Sequence, residues 1–399
     1  MSIPSTEELK VRPRQFLPQR RALLLAAPAI AAGTVLSGAL PASASVEPDT
    51  SQQGLRIRGA DLSFTPQLEA VGVQFRDRGA VRPVERIFAD HGANYVRLRI
   101  WTNPPAGYST EATALAMARR ARNAGMRVLL DLHYSDFWAD PGHQTTPAAW
   151  QDQDLPTLAE TVRSYTRGLI RDFTRAGAPV DMVQIGNEIT AGMLWPLGQI
   201  YQSDGAHWTE IATLLNAGIA GAREGARGHP LQVMLHIDRG GDNGGSVWFY
   251  DHILAAGVVD FDVIGLSYYP FWHGPLAALQ GNLNDLSPRY GKDLVVVEAA
   301  YPWTTGNGDD LANFVDSDSQ LPDGALYPAT PQGQAGYFAA LRGVLAQVPG
   351  GLGAGFFDWE PEWIPGVGWE PGAGNPNDNL TMFDWQGNAL PSLAVFNRR

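Results

Sequence analysis

From Arg58 onward, short apolar runs alternate with longer stretches of helical periodicity, and the alternation repeats eight times. Strands that alternate with helices in this way form parallel βα units, so the pattern sets the fold class by itself. The apolar runs fall at Gly59–Ser63, Tyr95–Ile100, Val128–His133, Met182–Asn187, Gln232–His236, Val263–Tyr268, Leu294–Glu298 and Gly355–Trp359. Helices are expected around Val84–His91, Thr110–Asn123, Leu155–Ala176, Thr209–Arg227, Val247–Ala256, Leu276–Tyr290 and Gln332–Gln347, with a last short one near Pro391. Gly92, Gly125, Gly177, Gly228, Gly257 and Gly291 each stand just before a strand, where a helix stop is needed. Eight such units over ~340 residues predict an α/β protein, a single (β/α)8 TIM barrel spanning residues 54–399. An open doubly wound sheet would require a glycine-rich phosphate turn after an early strand, and Gly59-Ala-Asp-Leu-Ser63 is not one. The Pro/Gly-rich stretches Gly306–Thr330 and Pro361–Asn379 are expected to be enlarged loops after strands seven and eight.

The N-terminus is read as a leader rather than as part of the barrel. Arg20-Arg21 precede an apolar run from Ala22 to Ala32, and Ala42-Ser43-Ala44 supplies a small-residue cleavage site. Residues 1–44 are therefore expected to be a signal peptide of the twin-arginine type, followed by a flexible lead-in at 45–53, and the mature protein is expected to be secreted. Pro28 and Gly33 interrupt the apolar run, which disfavours a permanent membrane anchor. The formal charge of −12 becomes −15 once the five basic and two acidic residues of 1–44 are removed. A surface of that sign disfavours nucleic acid and anionic membranes as partners. With no cysteine in the 399 residues, neither disulfides nor thiolate-bound metals can hold the chain together.

In a barrel the C-terminal strand ends carry function, and here every one of them is polar or aromatic. Two stand out. Met182-Val-Gln-Ile-Gly-Asn-Glu188 and Leu294-Val-Val-Val-Glu298 each deliver a glutamate from the end of an apolar strand. A carboxylate in such a place is costly to bury unless something uses it. Strands four and seven sit nearly opposite each other around the ring, so the two side chains can face across it. Paired carboxyl groups flanking a bond are what glycoside hydrolysis requires. Asp61, Arg97, Trp101, His133, Asp136, Trp138, Asn187, His236, Tyr268, Tyr269, Trp272, Trp303, Trp359 and Trp363 occupy the other strand ends and the loops beyond them, and are candidates for contact with a sugar. A guanidinium at Arg97 would keep Glu298 ionised. No Gly-x-Ser-x-Gly elbow and no His-Glu-x-x-His is present. A carbohydrate-binding protein on a barrel frame is the other class considered, but binding alone does not call for two opposed carboxylates.

The blocks Gly59-Ala-Asp-Leu-Ser63, Asn94-Tyr-Val-Arg-Leu-Arg-Ile-Trp101, Asp131-Leu-His-Tyr-Ser-Asp-Phe-Trp-Ala-Asp-Pro141, Gln184-Ile-Gly-Asn-Glu188, Ser267-Tyr-Tyr-Pro-Phe-Trp272, Glu298-Ala-Ala-Tyr-Pro302 and Asp358-Trp-Glu-Pro-Glu-Trp363 resemble glycoside hydrolase family 53. The closing Asn379-Leu-Thr-Met-Phe-Asp384 fits as well, and the block from Asp131 to Pro141 is the most specific. The resemblance implies an endo-β-1,4-galactanase acting on type I arabinogalactan, with retention. It further implies Glu188 as acid/base and Glu298 as nucleophile, with Tyr268 or Tyr269 bonding the nucleophile. A barrel hydrolase of another β-1,4-glycan, mannan or xylan, is the alternative within enzymes. No cofactor is required, and a monomer is expected. Some bacterial relatives hold calcium after strand seven, and the matching positions here are Asn307, Asp309, Leu311 and Asn313, with Asp378 later. Leu311 is no ligand, so a structural calcium, an ion that prefers six to eight oxygens, would rest on the oxygen-rich remainder Asn307, Asp309, Asn313 and Asp378.

Overall fold

The computed structural model describes residues 54–398. The expected leader and its lead-in, residues 1–53, lie outside the described residues. Eight parallel strands close into a barrel: β1 (Ile57–Asp61), β2 (Tyr95–Ile100), β3 (Arg127–Leu132), β4 (Met182–Ile185), β5 (Gln232–Ile237), β6 (Val263–Tyr268), β7 (Asp293–Ala299) and β8 (Gly353–Asp358). Each strand pairs with its neighbours in sequence, and β8 closes the ring on β1. The principal helices between them are α1 (Thr65–Ala70), α2 (Val84–Asp90), α3 (Glu111–Asn123), α4 (Leu155–Arg175), α5 (Trp208–Ala226), α6 (Asn243–Ala255), α7 (Pro270–His273), α8 (Leu276–Tyr290) and α9 (Pro331–Ala346). The 3-10 turn Pro391–Phe396 takes the place expected for the last helix.

Local chemistry explains where the helices begin. Thr110, Asp154, Asp242 and Thr330 each accept a backbone N–H of the following first turn and so cap α3, α4, α6 and α9. One face of each helix then packs on the outside of the barrel. On α4, for example, Leu158, Val162, Leu169, Ile170 and Phe173 are buried at helical spacing. Short elements without a periodic signature are the ones the sequence pattern does not show. These are α1, α7 and two small hairpins, Arg76–Asp77 with Ala80–Val81 and Tyr201–Gln202 with Gly205–Ala206.

The barrel interior is filled in levels. Its lower level is an apolar cluster that includes Ile57, Tyr95, Leu129, Met182, Met234, Val263, Val297 and Phe357. Further along the same inward faces the residues turn polar yet stay buried: Asp61, Arg97, Asp131, Gln184, His236 and Ser267. The apolar level is a floor, and the polar level above it is the bottom of the functional site.

Candidate active site

Strict alternation would send Glu298 outward, because Val295 and Val297 of the same strand lie in the interior cluster. It points inward because β7 carries a bulge. Leu266 of β6 pairs with Val296, and the next residue, Ser267, pairs with Glu298, so Val297 is left over. The extra residue re-aims everything after it to the opposite face. Glu188 reaches the same space by another device. Gly186 takes φ 77°, and a Cβ there would meet Ile189 Cγ2 at 2.6 Å. That turn ends β4, and Glu188 follows in the left-handed region at φ 47°, a conformation a non-glycine residue holds only when its surroundings fix it.

The two carboxyl groups meet at Ser267. Its Oγ lies 2.6 Å from Glu188 Oε1 and 3.5 Å from Glu298 Oε2. Those two oxygens are therefore at most 6.1 Å apart, the largest separation the two distances permit. Glu298 is held on its other sides by Arg97 Nη2, 2.8 Å from Oε1, and by Tyr269, whose hydroxyl donates to Oε2 at 2.8 Å. Arg97 also meets Asp61 at 2.7 Å and Asp131 at 2.9 Å, so one guanidinium serves three carboxyl groups. Asn187 Oδ1 accepts from Arg97 and Gln184 and lies 2.9 Å from His236 Nδ1. Asn187 Nδ2 donates to the Ala139 carbonyl at 2.9 Å, which leaves its second hydrogen without a protein partner among the described residues. The far side of His236 reaches Ser267 Oγ at 2.8 Å. Every polar group around the pair is thus positioned by another.

The environment separates the two acids. Burial pushes the Glu188 carboxyl well above the usual carboxylate range, and the nearby charges of Glu298, Asp238 and Asp140 push it in the same direction. Burial also raises Glu298, but Arg97 opposes it directly and the Tyr269 hydroxyl adds to that opposition. Asp131 is buried too, yet Arg97 and His133 hold it down at about 2. Burial lowers His133 and His236, which favours their neutral forms. One carboxyl group suited to give a proton thus faces one suited to remain ionised, the division of labour that acid-assisted displacement needs.

Above the pair opens a cleft of about 690 Å³. Its walls include Trp138 from the loop after β3, Trp272 from α7, Leu311 and Phe314 from the segment after β7, and Trp359, Trp369 and Glu370 from the segment after β8. Trp138 and Trp369 stack at 4.4 Å with 14° between planes, and Arg99 lies 4.1 Å over the Trp138 ring. Trp272 is 56% exposed and meets Phe314 edge-on at 5.1 Å.

The sequence profile of "Glycosyl hydrolase family 53" matches residues 57–396. The chain belongs to that family. It is a glycoside hydrolase. A "Probable arabinogalactan endo-beta-1,4-galactanase A" of Aspergillus terreus is 41% identical over 322 residues, 79% of this chain and 88% of that one. An "Arabinogalactan endo-beta-1,4-galactanase" of Humicola insolens is 36% identical over 86% of this chain and 99% of its own length. Among solved structures, a family 53 catalytic domain of Ignisphaera aggregans superposes with a TM-score of 0.81 at 35% identity, covering 88% of this chain and 98% of that one.

With the family known, the remaining candidate positions can be sorted by place. His133, Trp138, Asn187, Glu188, Tyr269, Trp272, Glu298 and Trp359 line the cleft. Asp61, Arg97 and His236 lie beneath it and hold those that do. Five expectations of sugar contact are corrected. Tyr268 turns outward, with its hydroxyl on the Gly274 carbonyl at 2.8 Å, because Ser267 and Tyr269 take the inward positions of that strand end. Trp101 is fully buried and donates to His133 Nδ1. Trp363 is fully buried against Phe64 at 4.2 Å. Trp303 is half-buried against Trp385 at 5.2 Å, away from the cleft. Asp136 accepts the backbone N–H groups of Asn103 and Ala148 and staples two loops. The site also takes in Ser267 and Asp238 from strand ends and Asp140 from the block Asp131–Pro141, to which the sequence assigns no role, and Trp369 and Phe314, which it does not single out. For Ser267 a signal existed, since period two along β6 puts it on the face of Tyr269.

The four residues of the calcium expectation lie in the segments after β7 and β8, where nearby donors occupy most of their oxygens. Asp378 accepts from Asn313 Nδ2 and Gly308 N, Asp309 accepts from the N–H groups of Leu311 and Asn375, and Asn307 Oδ1 accepts from Asp309 N. Of the oxygens on these four residues, Asn313 Oδ1 alone is buried without a partner. Burial, and to a lesser degree Asp309, pushes Asp378 up to about 6. Among the described residues no group of three or more His, Cys, Asp or Glu side chains is placed to hold a metal ion.

Proposed function

We propose that the protein is an endo-β-1,4-galactanase that cleaves type I arabinogalactan with retention at the anomeric carbon. The observation that carries the mechanism is the Ser267 bridge. One oxygen of each glutamate lies within 6.1 Å of the other, a closeness in keeping with the ~5–5.5 Å separation of a direct displacement. Glu298, ionised beside Arg97, attacks the anomeric carbon, while Glu188 gives its proton to the departing glycosidic oxygen. The ester to Glu298 is then hydrolysed by a water that Glu188, now a carboxylate, deprotonates. Tyr269 steadies the attacking oxygen, and the free hydrogen of Asn187 Nδ2 is placed to meet the 2-OH of the reacting sugar.

The relatives whose names specify galactan support the substrate, and so does the shape of the cleft. The axial 4-OH of galactose bends a β-1,4 chain, and a bent chain requires walls at different angles. Trp359 and Trp138 stand 55° apart, and Trp359 and Trp369 56° apart. The N-terminal leader supports secretion, which would put the enzyme where the polymer is. The deciding measurement is reducing-end release from galactan, mannan and xylan side by side, with the anomer of the first-formed product read by NMR. Preferential release from galactan as the β-anomer is expected. Equal or better release from mannan or xylan would remove the substrate reading, and an initial α-product would remove the mechanism.

A further inference from the structure

Outside the cleft, the small hairpin at Tyr201–Ala206 lies over α5 and α6 and carries the Tyr201 ring. One face of that ring stacks on Trp248 at 5.6 Å with 18° between planes. Trp248 packs against Trp208 at 4.9 Å, and His252 sits against both, 4.9 Å from Trp208 and 4.7 Å from Trp248. Tyr201 stacks on a ring that two others hold in place and is still 53% exposed. A ring meant only to pin the hairpin would bury more of itself, since ~25 cal/mol is gained for each Å² of apolar surface removed from water. A rigidly backed aromatic with an open face is a surface on which the flat side of a sugar stacks with little further ordering.

The surroundings identify the kind of ligand. Polar groups surround the ring cluster: Asp204 and Glu210 both bond His207, at 2.9 and 3.3 Å, and Asp251 bonds Tyr290. Acidic groups of this number repel an anionic polymer or membrane and are neutral toward an uncharged glycan. The patch also shares a face of the barrel with the cleft. Asp238 lines the cleft and bonds Thr190 just after Glu188. Tyr201 follows in the same segment between β4 and α5, at the end of the barrel where the strand C-termini open. Glu188 and Tyr201 thus stand on one side of the barrel mouth. That is the side on which the departing part of the chain leaves, because Glu188 protonates its oxygen.

We propose that Tyr201, backed by Trp248, is an outlying binding platform for the departing portion of a β-1,4-galactan chain. The proposal rests on the galactanase reading, and the experiment separates the two. Tyr201→Ala and Tyr201→Phe are compared with wild type in KM on polymeric galactan and in kcat/KM on a short aryl galactoside that ends inside the cleft. The same pair, in a Glu298→Gln background, is run through gels containing galactan. Tyr201→Ala is expected to raise KM on the polymer roughly five- to tenfold, the factor of a single stacking contact. It is also expected to lose part of its retardation in the gel, with Tyr201→Phe close to wild type in both. Polymer KM and retardation unchanged in Tyr201→Ala would overturn the platform. So would an equal loss on the aryl galactoside, which would mean that the hairpin merely supports the Glu188 loop. A wild-type dimer dissolved by Tyr201→Ala, with polymer kinetics unchanged, would also overturn it in favour of a second copy of the chain. Wild-type protein that releases nothing from galactan removes the galactanase reading, while the gel comparison still decides the platform.

Discussion

At the scale of residues, the site works by giving two chemically identical carboxyl groups different surroundings. Glu298 has a guanidinium at 2.8 Å, and Glu188 has only carboxyl groups as charged neighbours. Glu298→Gln is therefore expected to abolish formation of the glycosyl-enzyme on every substrate. Glu188→Gln should keep a fast first step on an aryl galactoside with a good leaving group, which needs no proton, and should stall afterwards. Burst kinetics with the released phenol check this, and equal loss of the first step in both variants would reverse or remove the assignment. Asp238 supplies a second test. Its negative charge helps to raise Glu188, so Asp238→Asn is expected to move the alkaline limb of kcat/KM to lower pH. The acidic limb, which reports Glu298, should move less. An alkaline limb that stays in place would show that burial and the Glu298 charge, the two largest contributions, set the acid without Asp238.

At the scale of elements, most of the barrel is legible in the sequence because each strand and helix carries its own period. Tyr95–Ile100 and Val263–Tyr268 coincide with β2 and β6 to the residue. What the period does not show is where it breaks. Glu298 reads as a strand-end carboxylate, yet its inward aim depends on a bulge at Val297, and nothing in four consecutive apolar residues reveals one. Tyr268 and Tyr269 are indistinguishable by composition and opposite in placement, and the same parity that points to Ser267 decides between them. Trp303 and Trp363 are as aromatic as Trp138, and only packing shows that they support loops. Those loops carry a prediction of their own. The segments after β7 and β8 are joined at Asp378 and Asp309 by amide hydrogens. A chelator is therefore expected to leave the melting temperature unchanged. A fall with EDTA that Ca²⁺ restores would show mass-action stabilisation by a bound ion and overturn the reading.

At the scale of the whole molecule, the barrel holds more buried acids than it has buried cations to meet them. Beside β8 and α1, Asp358, Glu360 and Glu362 are all fully buried, with Arg99 paired to Glu360 at 2.8 Å. Among the described residues Glu362 Oε2 has no partner, and Asp358 has at most a weak one in the backbone N–H of Trp359. Burial pushes Asp358 and Glu360 well above the usual range and Glu362 up to about 8, in each case with the help of another carboxyl group. A carboxyl group whose pKa is raised by folding holds a proton in the native state that the unfolded chain has released. Between the unfolded value near ~4.3 and the folded value, the native state binds more protons, so stability falls as pH rises through that window. For Glu362 that window reaches up to about 8. The enzyme is therefore expected to be most stable in mild acid and to lose melting temperature steadily from pH 5 to pH 8. Glu362→Gln mimics the protonated acid and keeps an acceptor for the Thr65 hydroxyl, which now bonds Oε1 at 2.7 Å. That variant should match wild type near pH 5, exceed it at pH 8, and show a shallower slope between. Melting curves across that range decide it, and parallel slopes in the two proteins would mean that Glu362 is ionised in the native state.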